Sequence, residues 1–139
     1  MPFNLAILGV NKAQKIMNEY NYENWYISGH SLGGAMACNY GSNHLENIKG
    51  IITLSAYPTK KLSSNIKYIS IYGSEDKVLN IENYNNAKQY LTENSMEYVI
   101  EGGNHAGFAN YGNQKGDGDA KITNNEQQEE VINILFEEI

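Results

Sequence analysis

The sequence predicts an α/β fold: a single domain on a parallel sheet of about four strands, with helices on both faces. Three observations predict it. Segments of helical period alternate along the chain with short β-branched and aromatic runs. The 139 residues, 41% of them hydrophobic, suit one core. No repeat or long linker divides the chain, so residues 1–139 read as one domain.

Ala6, Val10, Ala13, Met17 and Tyr20 recur at helical spacing, predicting an amphipathic helix over roughly 8–20. NWYISG (24–29) is a short apolar run that stops at glycine, the mark of a buried strand. Gly33 to Tyr40 is rich in small residues and suits a helix packed closely on a sheet. IKGIITLSAY (48–57) and IKYISIYG (66–73) are the second and third strands. Asn80 caps a helix reaching about Leu91, with Ile81, Tyr84, Ala87 and Leu91 facing inward. MEYVIEGG (96–103) is the fourth strand. Thr123-Asn124-Asn125-Glu126 is a capping box ahead of Val131, Ile132, Leu135 and Phe136 on one helical face.

Ligands of such a sheet bind beyond the carboxyl ends of its strands. Those ends carry Ser31, Ala56-Tyr57, Gly73 to Asp76, and Gly103 to His105. A net charge of -6 with no basic cluster argues against nucleic acid and anionic membrane surfaces as partners. All ten positive charges are Lys, so the usual bidentate clamp for phosphate or carboxylate is missing. Cys38 is the only cysteine, which rules out an intrachain disulfide and suits a small core residue. The chain has no 18-residue apolar run and no secretory leader pattern, so a cytoplasmic location is the default expectation.

Gly29-His30-Ser31-Leu32-Gly33 is a G-x-S-x-G pattern. Five residues are a weak signal alone, but this pattern leaves a strand and opens a helix, as a nucleophilic serine on a sharp turn requires. A serine hydroxyl needs a base, and the base needs an orienting acid. His30 lies inside the turn, where packing is its expected role, and His44 lies in a polar loop; only His105 follows the last strand. For the acid, YGSEDKV follows the third strand, with Asp76 after a turn signal and Glu75 as a rival. Asp117 and Asp119 in GDGD lack the rest of a calcium loop and read as a surface turn.

Together, GHSLGGAMA, IYGSEDKV and EGGNHAGFANYG resemble the α/β-hydrolase superfamily. The run through GDGDAKIT and NNEQQEE looks most like small bacterial members carrying GGNHAxFxxYGxQxGDG. The resemblance implies Ser31 as nucleophile, His105 as general base, Asp76 as orienting carboxylate and the Leu32 backbone N–H as one oxyanion donor. It also implies a truncated α/β-hydrolase fold, the C-terminal half of a longer pattern, without the early loop that gives a second oxyanion donor. Ala56 to Asn65 is too short for an inserted cap, so the site is expected to be open, with Tyr57, Phe108 and Tyr111 as pocket walls. The strand at 24–29 would be left with an unpaired apolar edge, which predicts a homo-oligomer. The expected function is serine hydrolysis of an ester, thioester or related acyl bond in a small molecule, with no cofactor or metal. The alternatives are an incomplete hydrolase that mainly self-associates and a ligand-binding module.

Overall fold

A computed structural model describes residues 12–44 and 46–139. The elements run α1 (Lys12–Glu19), β1 (Trp25–His30), α2 (Leu32–Asn43), β2 (Ile48–Leu54), β3 (Lys67–Gly73), α3 (Ile81–Ala87), β4 (Ser95–Ile100) and α4 (Asn124–Glu138). The start of the expected first helix, with Ala6 and Val10, lies outside the described residues.

The four strands form one parallel sheet in the order β1-β2-β3-β4. Central strands of a parallel sheet are covered on both faces and read as continuous apolar runs. Ile51, Ile52, Ile69 and Ile71 of β2 and β3 are accordingly buried, while β1 and β4 are half exposed. One face carries α1 and α2, with Ala37, Cys38 and Tyr40 packed on Ile48, Ile51 and Tyr68. The other carries α4, whose Val131, Ile134 and Leu135 pack on Ile52, Ile69, Ile71, Ile100 and Phe108. Each fully buried Ile contributes about 1.5–3 kcal/mol of transfer free energy. Among the described residues β1 pairs with β2 alone, so its other edge is unpaired.

Four expected elements differ in extent or orientation, the fourth strand by ending at Ile100 rather than Gly103. The second strand stops at Leu54, because Ser55 turns to φ 51° and breaks the ladder. The helix after Asn80, which the Asn80 side chain caps through Asn83 N–H, gives way after Ala87 to a 3₁₀ turn over Lys88–Tyr90. The capping box at Thr123 and Glu126 forms as expected. The buried face of α4 is rotated, however: Ile132 is 50% and Phe136 85% exposed. The cause is Gln127, fully buried, whose amide bonds both the N–H and the C=O of Asn104. Residues 127, 131 and 134 share a face at helical spacing, and anchoring Gln127 turns that face inward.

The turn into α2 depends on two glycines. A Cβ on Gly29 would collide with the Gly33 backbone, and one on Gly34 would lie 2.6 Å from Ala56 Cβ and 2.7 Å from Gly29 O. At Gly33 a Cβ would meet nothing within 4 Å among the described residues. Gly34→Ala is therefore expected to cost about 1–3 kcal/mol by overpacking. Gly33→Ala should be neutral or stabilising by up to about 1 kcal/mol. Urea unfolding of the two variants checks the contrast.

Candidate active site

Ser31 stands between the end of β1 and the start of α2 at φ 54°, ψ −126°. Its N–H donates to Leu54 O at 2.9 Å, and its C=O accepts from Gly34 N–H at 2.9 Å. The side chain is thereby turned out at the carboxyl end of the sheet and lines a cavity of about 320 Å³. Leu32 follows as the first residue of α2. Helix geometry leaves its N–H without an intrahelical acceptor, and the positive end of the helix dipole points the same way.

His105 and Asp76 follow β4 and β3 and meet as a buried pair. His105 Nδ1 lies 2.9 Å from Asp76 Oδ2, with the side chains 1% and 0% exposed. Asp76 Oδ1 accepts from the N–H groups of Val78 and Leu79 at 2.9 and 2.8 Å. Burial by itself would raise the Asp76 pKa. The hydrogen bonds from His105 and Leu79, with the Ser55 hydroxyl beside them, outweigh it and hold the carboxyl below its ordinary value. The Ser55 hydroxyl is buried close by but completes no hydrogen bond of its own among the described residues. Because Asp76 is ionised, Nδ1 carries the imidazole proton and Nε2 presents the lone pair. Among the described residues Nε2 is buried without a partner, and His105 lines the same cavity as Ser31.

Of the expected pocket walls, Tyr57 lines this cavity, together with Leu32, Ala35, Val78, Leu79 and Asn80. Phe108 and Tyr111 do not. The 3₁₀ turn Ala106–Phe108 puts the Phe108 ring into the core beneath α4. Tyr111 is 52% exposed, its ring 6.1 Å from that of His30. His30 packs at the turn, 4.5 Å from the His105 ring and 5.8 Å from Phe108. Burial first, and His105 second, hold its pKa below the ordinary value. Glu75, the rival acid, faces Lys121 on the surface at 2.5 Å. Cys38 lies buried behind the turn, and burial pushes its thiol up to about 12, so it is inert as a nucleophile at neutral pH. Among the described residues no three His, Cys, Asp or Glu side chains gather as a metal site, and no helix is long and apolar enough to cross a membrane.

Sequence reasoning missed the brace behind His105. Asn104 Oδ1 accepts from Gly107 N–H at 2.8 Å, and its Nδ2 donates to Gly118 O at 2.8 Å. Asp117, read as part of a surface turn, accepts from the N–H groups of His105 and Ala106. Apart from the local Gly107 bond, these partners lie 11 to 14 residues apart, and neither periodicity nor turn chemistry signals them.

The family model described as "Alpha/beta hydrolase family" matches residues 1–129. No curated protein matches the chain. Among solved structures, the chain resembles an alpha/beta hydrolase enzyme from the metagenome of sediments from the lagoon of Mar Chica, Morocco. That match has TM-score 0.66 and 16% identity, and covers 95% of this chain and 68% of the other. It also resembles a predicted CIB-like hydrolase from Thermoplasma acidophilum, with TM-score 0.66 and 18% identity over 95% and 60% of the two chains. A third is the monoacylglycerol lipase of Paleococcus ferrophilus, with TM-score 0.67 and 13% identity over 96% and 76%. The chain thus spans 60–76% of the length of these neighbours, and at such identities they establish the fold.

The pKa directions set a sign for stability against pH. His30 is lowered from 6.5, so just below that value the unfolded chain binds a proton that the folded chain refuses. Asp76 is lowered from 3.8, so its contribution is present above that value and lost as pH falls through the folded pKa. Urea unfolding should show stability falling from about pH 7 to about pH 5, with a shallower fall in His30→Gln. The further loss below about pH 4 should persist in that variant and shrink in Asp76→Asn.

Proposed function

The chain belongs to the alpha/beta hydrolase family, and from that premise we propose that it is a serine hydrolase cleaving an ester, thioester or related acyl bond. Ser31 Oγ attacks the acyl carbon as His105 Nε2 removes its proton. Asp76 keeps Nδ1 protonated and stabilises the imidazolium that forms. The Leu32 N–H, at the positive end of α2, donates to the developing oxyanion. The imidazolium protonates the leaving group, and an acyl-enzyme forms on Ser31. Water, deprotonated by the same Nε2, then releases the acid and restores the serine.

The observation that carries this reading is the buried His105–Asp76 pair. Its free Nε2 belongs to a residue lining one cavity with a serine in a strained turn. Among the described residues that cavity has no Asp, Glu, Lys or Arg side chain in its lining, which favours uncharged acyl groups. A fluorophosphonate probe tests the proposal. Labelling should map to Ser31, vanish in Ser31→Ala and fall by about 10²-fold or more in His105→Ala. Absence of labelling in the wild-type chain, or labelling that survives in Ser31→Ala, would contradict it.

The unpaired edge of β1 favours a second reading alongside the first, in which a further copy of the chain covers that edge. Ile16, Tyr20 and Tyr22, on or next to α1, are all at least half exposed nearby in sequence. Sedimentation equilibrium at micromolar concentration should then report a dimer or larger species. A monodisperse monomer would remove this reading.

A further inference from the structure

We propose that Asp117 is a positioning residue for the acyl-transfer reaction: its carboxylate clasps the loop carrying His105 to the loop carrying Asp76. The inference rests on the serine-hydrolase reading for its kinetic consequence and on geometry alone for the clasp. Asp117 Oδ2 accepts from Ala106 N–H at 2.8 Å. Oδ1 accepts from Gly118 N–H at 2.8 Å and His105 N–H at 3.2 Å, and at 3.5 Å it reaches the Lys77 N–H. An aspartate that merely shapes a turn bonds its own neighbours. Here only the Gly118 bond is local; the others come from 11, 12 and 40 residues away.

The donors are the informative part. His105 and Lys77 are, respectively, the base itself and the residue after the acid, so one carboxylate touches the backbone on both sides of the Nδ1–Oδ2 contact. The next residue confirms how tightly the segment is wedged: a Cβ on Gly118 would overlap Glu75 O. Bonds from N–H to an ionised carboxylate are shorter and stronger than neutral ones, which suits a clasp. From the other side, Asn104 ties the His105 loop to Gly118 O and to Gln127 of α4. Removing the Asp117 carboxylate leaves the His105 and Ala106 N–H groups without an acceptor. The loop would shift to find others, carrying the imidazole with it. A displacement of about 1 Å at a reacting group costs about 10²-fold in rate.

Asp117→Ala and Asp117→Asn in the full chain test the proposal, with the exposed neighbour variant Asp119→Asn as control. Hydrolysis of a p-nitrophenyl ester should show kcat falling about 10–10²-fold in Asp117→Ala with KM changed less than about twofold. Asp117→Asn, which keeps one acceptor oxygen, should fall between that variant and the wild type. Proton NMR gives a readout that needs no activity. The low-field signal of the His105 Nδ1 proton bonded to Asp76 should broaden or move in the same order, and Asp119→Asn should leave it unchanged. If Asp117→Ala does not fold, the isosteric Asp117→Asn carries both readouts. A wild-type Nδ1 signal in the Asp117 variants overturns the clasp. A wild-type chain with no hydrolysis, whose Nδ1 signal still depends on Asp117, supports the clasp and overturns the hydrolase reading instead.

Discussion

Ser31 is held at φ 54°, ψ −126°, and much of the structure around it serves to keep it there. Such a backbone state costs about 1–3 kcal/mol and persists only where its surroundings over-determine it. Three surroundings do so. The Ser31 N–H bonds Leu54 O, which ties the turn to the end of the neighbouring strand. The Ser31 C=O accepts the first bonds of α2, so the helix starts where the strain ends. Gly29 and Gly34 let strand, helix and the Ala56 loop approach more closely than side chains allow. The burial of Ala37, Cys38 and Tyr40 against the sheet supplies the free energy that offsets the strain.

The other half of the site is built by two loops that lock to each other. Ser74 and Glu75 N–H donate to Ile100 and Gly103 O at 3.0 and 2.8 Å, and Gly102 N–H donates to Ser74 Oγ at 2.9 Å. These bonds prolong the β3–β4 pairing past the ends of the strands. Asp76 and His105 are 29 residues apart in the chain, yet they stand on what is in effect one rigid surface. Gln127 adds the last tie, from α4 on the opposite side of the His105 loop. A donor or acceptor fixed before the reaction needs no reorganisation during it, and that is where most electrostatic catalysis originates.

Much of this was legible in the sequence because it rests on local chemistry. The β-branched runs mark the strands, the Thr123–Glu126 box marks the start of α4, and the order of Ser31, Asp76 and His105 follows the strand ends. What was not legible depends on long-range partners. Nothing in a glutamine at position 127 says that it will be fully buried and bonded to Asn104, so the rotation of α4 that exposes Phe136 could not be foreseen. Phe108 is expected to wall the pocket; the 3₁₀ turn sends it into the core instead. Ser55 ends β2 by adopting a positive φ, which its residue type does not announce. Which glycines of the turn are crowded is also a long-range matter: a side chain on Gly29 would meet the Gly33 backbone and one on Gly34 would meet Ala56 and Gly29.

The central claim is that Ser31 becomes covalently acylated and that the His105–Asp76 pair drives both formation and release of the adduct. Rapid quench of the chain with an activated ester, followed by intact mass and peptide mapping, tests this most directly. The account predicts one acyl group per chain, on the peptide containing Ser31, formed in a burst before steady turnover. It would be contradicted by steady hydrolysis with no adduct, or by an acyl group mapped to another residue while Ser31 stays free.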